Sequence, residues 1–535
     1  MAGNAKVFIK DYYQNKDGII LEVRIKINKD SMYRSHIFRS IQPHWLAVLL
    51  AFTAPHVAGQ TIRGPLGEVF KARIVAKNLT DPWEITCGPD NHLWVTESKN
   101  YLVSRINPLD GKKMILLDLN HNREFPRYDL IVQNHRSKPW PQGGLMGMAL
   151  HPDLLNGHPY VYLMYIYEFK GASKSGRGCE ENFGGCGYRG RIVRYTYDRD
   201  AQKLSDPEIV CNTIPQSNDH NGGRLAIAVV DGKPFLFCSV GDMGAGQFGN
   251  AGQVNRAQDK TTLEGKILRF NTEPDADTED SNKWIPNDNP FNGIVQNAVW
   301  SLGHRNAQGL ASATMSGKCL LYSTEHGPFS DDEINIIVKG SNYGHPLICG
   351  YADGNYNGLA ASVSAHNELP GLWNTTYPLI NSEKQNASKI GKTYCDPILS
   401  IYPTQNSFLR SLYEKRLKGS EEQDWPSEAP SSIEVYTHDA IPGWKNSLLI
   451  PTLKGNKLIR LKLNEDGNKL LSDTICYFNN KCRYRDIAVS NDGLRIYLSV
   501  DNTPASSNPA KEDPKQVHYP GTIIEFTYIP AQEDD

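Results

Sequence analysis

The sequence predicts an all-β chain built from six repeats of one antiparallel unit, and three observations carry that prediction. A polar turn followed by an apolar strand recurs six times between residues 60 and 535. Glycine and tyrosine are plentiful, at 45 and 26 residues. Long amphipathic heptads are absent, which favours many short strands joined by turns.

The copies are GPDNHLWVTE from Gly88, HPDLLNGHPYVYLMY from His151, VDGKPFLFCSV from Val230, MSGKCLLYST from Met315, GWKNSLLIPTL from Gly443 and SNDGLRIYLSV from Ser490. Each joins a turn with Gly, Asp or Asn to a run of period-2 alternation, a pattern that favours a hairpin. Further strands follow several copies, as in RIVRYTYD, GKILRFN and KLIRLKL. Six copies predict a six-bladed β-propeller of four-stranded antiparallel blades. The chain offers roughly 80 residues per copy, against about 40–50 for a bare blade, so the loops must be long. Long loops on one face of a propeller are where a site is built. The longest interval, His326 to Gly443, is expected to hold an elaborated loop region and not a separate domain.

The first 59 residues fall outside this pattern. Trp45–Ala54 (WLAVLLAFTA) is an apolar run preceded by Arg34 and Arg39 and followed by Val57, Ala58 and Gly59. Basic region, short apolar core and small residues are the layout of a secretory signal. The run is short for a membrane span. The alternatives are a buried element of the fold and an uncleaved anchor. Met32 opens a conventional signal, so residues 1–31 read as an extension from a mis-called start, 32–59 as the signal and 60–535 as the catalytic propeller. Periplasmic or secreted localisation follows, with no membrane span after signal removal.

Lys+Arg is 57 and Asp+Glu is 59, a formal net charge of −2. No global basic field exists to hold nucleic acid. Ten cysteines suit an exported protein. Either Cys179–Cys186 or Cys476–Cys482 could close a disulfide, and mostly free buried thiols are the alternative. No pair of CxxC motifs has zinc-site spacing. Sequons occur at Asn78, Asn374 and Asn386.

Five segments carry chemistry. NDHNGGRL, from Asn218, sets Asp219 beside His220 and two glycines. Glycines let the backbone bend and expose neighbouring side chains, and histidine is the usual general base near neutral pH. A lone Asp-His pair is more often a surface turn. LGHRNAQGL, from Leu302, gathers Arg305, Asn306 and Gln308. In EHGPFSDDEINIIVKGSNYGHP, Gly327-Pro328 forces a turn that can present carbonyls. Asp331, Asp332 and Glu333 supply hard oxygen ligands suited to Ca2+, or an acidic turn facing solvent. Lys454 follows PTL. Strand alternation puts Arg483 and Arg485 on one face, where they repel unless an anion meets them. Ordinary surface carboxylates are the plain answer.

Together these segments resemble the soluble PQQ-dependent glucose and aldose sugar dehydrogenases. The resemblance runs from about Leu79 to Tyr528, with QGGLMGMALHPD, DHNGGRL, LGHRNAQGLA, HGPFSDDEINIIVKGSNYG, LLIPTLKG and RYRD in family order. That family is a six-bladed propeller, in agreement with the repeat count. The resemblance implies His220 as general base, Asp219 at the sugar, and Gln142 and Trp425 as substrate contacts. It implies Arg305 and Asn306 at the quinone oxygens, Gln308 close by, and Ser427, Lys454, Arg483 and Arg485 holding the cofactor. Gly327 and Pro328 match carbonyl donors to a catalytic calcium. Glu333, Tyr343, Cys349, Tyr351, Asp353 and Glu383 match positions around further Ca2+ ions, with the carbonyl used at Cys349.

PQQ bears three carboxylates, so a local cationic pocket is expected from Lys454, Arg483 and Arg485. The implied reaction takes the anomeric hydroxyl of an aldose to a lactone. Electrons pass on to a cytochrome or other external acceptor. The family often dimerises, so the resemblance allows a homodimer without fixing the oligomeric state.

The sequence departs from the family pattern at several points. DHNGGRL stands for DHQSGRL, His326 for a glutamine, His345 for a tryptophan, Glu422 for an aromatic residue and Ser427 for a threonine. These differences cluster where a sugar and cofactor would be gripped. Two rivals share the fold class. A calcium-dependent lactonase or other hydrolase has no need of the basic trio. A non-catalytic extracellular binding propeller has no need of His220 with Arg305.

Overall fold

The computed structural model describes residues 14–15, 18–19, 60–120, 142–170, 187–276, 283–293, 295–420, 425–471, 474–502 and 518–531. The chain divides into two compact units, Met1–His56 and Val57–Asp535. In the first, Gln14–Asn15 pairs antiparallel with Gly18–Ile19. The 32–59 signal, the Cys179–Cys186 pair and Glu422 lie outside the described residues.

The second unit is a six-bladed propeller of antiparallel sheets, as the repeats predict. Blade 1 runs Pro82–Cys87, Leu93–Glu97, Leu102–Ile106 and Lys113–Asp118. Blade 2 runs Leu145–Leu150, Tyr160–Lys170, Gly187–Asp198 and Lys203–Gln216. Blade 3 runs Gly222–Val230, Lys233–Val240, Lys266–Asn271 and Val299–Leu302. Blade 4 runs Ala307–Met315, Lys318–Glu325, Asp332–Ile336 and Leu399–Ile401. Blade 5 runs Glu434–Tyr436, Ser447–Pro451, Leu458–Lys462 and Ile475–Tyr477. Blade 6 runs Tyr484–Val489, Arg495–Val500 and Ile523–Tyr528, and is completed by Val69–Ala76 and Gln60–Arg63.

Every recurring copy is the second strand of its blade. Its alternation is not one of core against solvent, because blades stack face to face and both faces are covered. All five residues of Leu93–Glu97 and of Ser447–Pro451 are buried. The pattern instead sets an uninterrupted run of bulky apolar residues, such as Leu93, Trp94 and Val95 or Leu448, Leu449 and Ile450, beside a small buried hydroxyl such as Thr96, Ser239, Ser323, Ser447 or Ser499.

The first strand of each blade neighbours the first strands on either side, so six inner strands ring the axis. Arg224 ties this ring together. Its guanidinium meets Glu84 at 2.5 Å and Asp486 at 3.0 Å, donates to the carbonyls of Gln308 and Ser431, and stacks 4.1 Å over Trp83. Blade 6 closes the ring with both ends of the chain. Val69–Ala76 pairs with Ile523–Tyr528, and the register partners Arg73 and Glu525 form a two-bond ion pair.

The interval His326–Gly443 is an elaborated loop region. Helix Glu383–Ile390 lies in an insertion between the third and fourth strands of blade 4, and helix Asn406–Leu417 lies between blades 4 and 5. Phe329, Tyr356, Trp373, Tyr377, Leu409 and Tyr413 give the region its own apolar cluster. No helix among the described residues is long and apolar enough to cross a membrane. Of the two readings the sequence allows for Cys476 and Cys482, the structure has the free thiols and not the bridge. Cys476 is exposed on the outer strand of blade 5, while Cys482 is buried in the core with Phe478 and Tyr484.

Candidate active site

At one end of each blade the first and second strands open into a mouth. The hairpin ladder continues there for a residue or two: Ser98 N donates to Asp81 O, Asp501 N to Arg483 O and Leu453 N to Ala429 O, at 2.9–3.0 Å. All six mouths supply walls to one cavity with about 1260 Å3 of empty space, part of it open to solvent. Asp219, His220, Arg305, Asn306 and Gln308 line it, as do Gln142, Trp425 and Ser427. Gly327, Pro328, Arg483 and Arg485 complete the predicted set on its walls. Lys454 reaches this wall through Trp425, donating to its carbonyl at 2.5 Å with the ammonium 4.8 Å from the ring centre.

His220 sits in a tight turn with φ 46°. The turn is compact because its neighbours have no side chains: a Cβ on Gly241 would stand 1.9 Å from the His220 carbonyl, and one on Gly222 would stand 2.8 Å from that of Ser239. Strand pairing then sets His220 opposite Asp242, since Gly222 pairs with Val240. Nδ1 of His220 lies 2.7 Å from Asp242 Oδ1. Nε2 faces the cavity residue Gln247, whose amide nitrogen is 2.8 Å away. With the proton on Nδ1 held by Asp242, Nε2 is the acceptor, the state a general base requires. Gln247 also accepts from Arg305 Nη2 at 2.7 Å and donates to Asp219 at 3.4 Å, so one side chain joins base, acid and guanidinium. Burial would raise the Asp242 carboxyl, but the charge and hydrogen bond of His220, with help from His345, hold it far below the ordinary range.

The cationic wall is larger and less free than the sequence predicts. Arg485 is already clamped by Asp501, with bonds of 2.8 and 2.6 Å, and it touches Gln308 at 3.2 Å. Thus the anion that meets the two arginines is a buried aspartate of the chain and not a surface carboxylate. Burial brings the Arg483 guanidinium down to about 10 against the pull of Asp501. Lys99, which sequence reasoning missed, adds another cation to the cavity and donates to Gly143 O at 2.8 Å. Burial lowers it to about 8, with Asp81 and Asp501 opposing. Two buried donors on lining residues, Arg305 Nε and Asn221 Nδ2, have no hydrogen-bond partner among the described residues. Orphan donors and clustered cations fit an acceptor-rich anionic ligand such as PQQ.

His326 is half-buried with its Nε2 2.9 Å from Pro430 O, and desolvation beside Arg305 brings it down to about 3. Ser427 lines the cavity but directs its hydroxyl to Asp332. Asp332 also accepts from the N–H groups of Gly327, Glu428 and Ala429, so it clamps the Gly327-Pro328 turn to the Ser427 segment. Asp331, Asp332 and Glu333 are all buried, which excludes the solvent-facing turn.

The predicted metal positions fall into separate places. Among the described residues neither the Gly327 nor the Pro328 carbonyl accepts a backbone hydrogen bond, which leaves both open to a hard cation at the cavity wall. Cys349, Tyr351 and Asp353 lie in one loop of the insertion. Glu383 accepts from the N–H groups of Cys349 and Gly354 at 2.9 Å, and Glu333 accepts from Gly350 at 3.0 Å. Burial raises Glu383 to about 7 and Glu333 well above the carboxylate range, with Glu325 adding to the latter. Carboxylates so strained against ionisation fit a neighbouring cation. Tyr343 stands apart, its ring stacked on His304 and its hydroxyl committed to Ile336 O, so only its carbonyl could serve. Among the described residues no three His, Cys, Asp or Glu side chains form a metal-holding group, so backbone carbonyls would have to complete any site.

Three comparisons bear on this cavity. A family model described as glucose/sorbosone dehydrogenase matches residues 79–390 and 389–507. Quinoprotein glucose dehydrogenase B of Acinetobacter calcoaceticus is 31% identical over 94% of this chain and 99% of its own length. Aldose sugar dehydrogenase YliI of Escherichia coli (strain K12) is 27% identical over 70% of this chain and 78% of its own. The PQQ-bound aldose sugar dehydrogenase of Streptomyces coelicolor shares the fold, with a TM-score of 0.53 and 23% identity over 87% of this chain and 100% of that one.

Proposed function

The chain belongs to the glucose/sorbosone dehydrogenase family, an oxidoreductase family, and from that premise we propose that it oxidises the anomeric hydroxyl of glucose-like aldoses to the lactone, with PQQ and Ca2+ as cofactors. The observation that carries this reading is the convergence of an oriented histidine, Arg305 and a cationic wall in one cavity. When bound, PQQ would take the C1 hydrogen with its electron pair, and Ca2+ would polarise the quinone.

The chain's own residues do the rest. Arg483, Arg485 and Lys454, with Lys99, would hold the cofactor carboxylates. Arg305, with Asn306 and Gln308 close by, would face the quinone oxygens. Gly327 and Pro328 carbonyls would hold the cation beside it, and the Glu333–Glu383 region with Tyr343 would hold further Ca2+. His220 Nε2 receives the proton of the anomeric hydroxyl. Asp242 fixes the Nδ1–H tautomer and stabilises the imidazolium that forms. Asp219, Gln142 and Gln247 offer polar contacts to the sugar, while Trp425 and Phe248 cover its apolar faces and exclude water. Residues 32–59 serve as the export signal, and a cytochrome or other external acceptor collects the electrons.

Reconstitution tests this reading. Apo-protein mixed with PQQ and Ca2+ is expected to take up about one cofactor per cavity and then reduce an artificial dye with glucose or another aldose. Failure to take up PQQ overturns the proposal.

A further inference from the structure

We propose that His345, together with Tyr377, is a positioning residue that sets how tightly His220 holds its proton, through their shared contact with Asp242. The inference rests on the reading of His220 as the base. Asp242 is buried and accepts from five donors. Oδ1 accepts from His220 Nδ1 at 2.7 Å and Gly244 N at 2.9 Å. Oδ2 accepts from His345 Nε2 at 2.8 Å, Tyr377 OH at 2.9 Å and Asn255 Nδ2 at 2.8 Å.

The donors come from different parts of the chain. Asp242 follows the second strand of blade 3, whereas His345 and Tyr377 belong to the insertion of blade 4. Their rings meet edge to face at 5.6 Å. The same insertion braces the loop that carries Gln247. Thr375 donates to Gly246 O at 2.5 Å, and Thr376 donates to Ala251 O at 3.1 Å. Thus one loop region supports both nitrogens of His220, one through Asp242 and one through Gln247.

A carboxylate that shares its charge among more donors attracts each of them less. Asp242 favours the protonated form of His220, because an adjacent anion stabilises a cation. Donors on Oδ2 draw on that same charge, so they make His220 release its proton more readily. The sign is the same whether His345 is neutral or charged, since its Nε2–H donates in either state. The other groups facing His220 are Asp219 in its own turn, Arg305 across Gln247, and His326. Arg305 and Glu325 also act on His345. None of these is altered by a change at position 345 or 377.

The test is an imidazole 15N NMR titration of the apo-protein, with the His220 signal identified from its loss in His220→Gln. In His345→Leu the His220 midpoint is expected to rise by about 0.5–1 pH unit. Tyr377→Phe should raise it by a smaller amount, and His345→Gln, which keeps a donor, should restore it. On the loaded enzyme the acid limb of kcat/KM should move upward by the same amount. An unmoved midpoint in folded His345→Leu and Tyr377→Phe overturns the inference, and Tyr377→Phe decides alone if the first variant does not fold. A midpoint that moves while the kcat/KM limb stays fixed overturns instead the role of His220 as base.

Discussion

The mouths of blades 3 and 6 are built alike and put to different use. In each, a basic residue stands just before the inner strand and an aspartate just after the second strand. In blade 3 the pair is His220 and Asp242, and in blade 6 it is Arg483 and Asp501, with Arg485, inside the inner strand, making the closer contact to Asp501. Asp242 takes one ring nitrogen of a group that can gain and lose a proton and leaves the other facing the cavity. Asp501 closes on a permanent cation with two bonds and removes most of its charge from the pocket. The same backbone register therefore leaves a ring nitrogen facing the cavity in one blade and a closed ion pair on its wall in the other. What decides is whether the basic side chain can titrate near neutral pH.

Breaking the blade 3 pair should have the largest effect. His220→Gln is expected to lower turnover at least about 10²-fold while PQQ still binds, as read by dye reduction against cofactor fluorescence. Asp242→Asn keeps the imidazole but removes the anion that fixes its tautomer, and should cost about 10- to 10²-fold in kcat with little change in PQQ affinity.

The blade 6 pair predicts the opposite pattern. Asp501→Asn takes the carboxylate from buried Arg483 and largely enclosed Arg485 together, which should destabilise the apo-protein by about 3–5 kcal/mol. Bound PQQ should recover part of that loss and bind several-fold tighter than in the parent. A thermal melt with and without PQQ reads both effects. The smallest effect concerns Lys99. It is charged below about 8 and neutral above, so affinity for the anionic cofactor should fall a few-fold as pH rises through that value. Lys99→Met should bind more weakly at pH 7 and lose most of that pH dependence, by fluorescence titration at pH 7 and 9.

The repeat signature made the propeller legible because a second strand packed on both faces needs a run of bulky apolar residues, and each copy sets that run behind a polar turn. The mouths were only half legible. His220, Arg483 and Arg485 announce themselves by chemistry, but their aspartates do not. Asp242 in GDMGAG and Asp501 in SVDN look like ordinary turn residues. Extending each hairpin by its own register finds them: Gly222 pairs with Val240, so His220 faces Asp242, and Tyr484 pairs with Val500, so Arg483 faces Asp501. The same step places Lys99 just past Glu97, which pairs with Pro82. His345 and Tyr377 offered no such handle. The part of the insertion that holds them, ahead of helix Glu383–Ile390, is turns and isolated bridges, such as Leu359 with Ile380, and no period runs through it. A histidine in place of the family's tryptophan read as a change in sugar grip, yet it touches Asp242 on the side away from His220.

The central claim is that this cavity oxidises a sugar at its anomeric carbon with a bound quinone. The most direct test mixes the PQQ-loaded enzyme anaerobically with an aldose and follows the spectrum of the oxidised cofactor. Glucose should abolish that spectrum, and deuterium at C1 should slow the change. 1,5-Anhydroglucitol, which lacks the anomeric hydroxyl, should leave the spectrum intact. A spectrum that no aldose alters, or one lost equally fast with the anhydro sugar, would contradict the account.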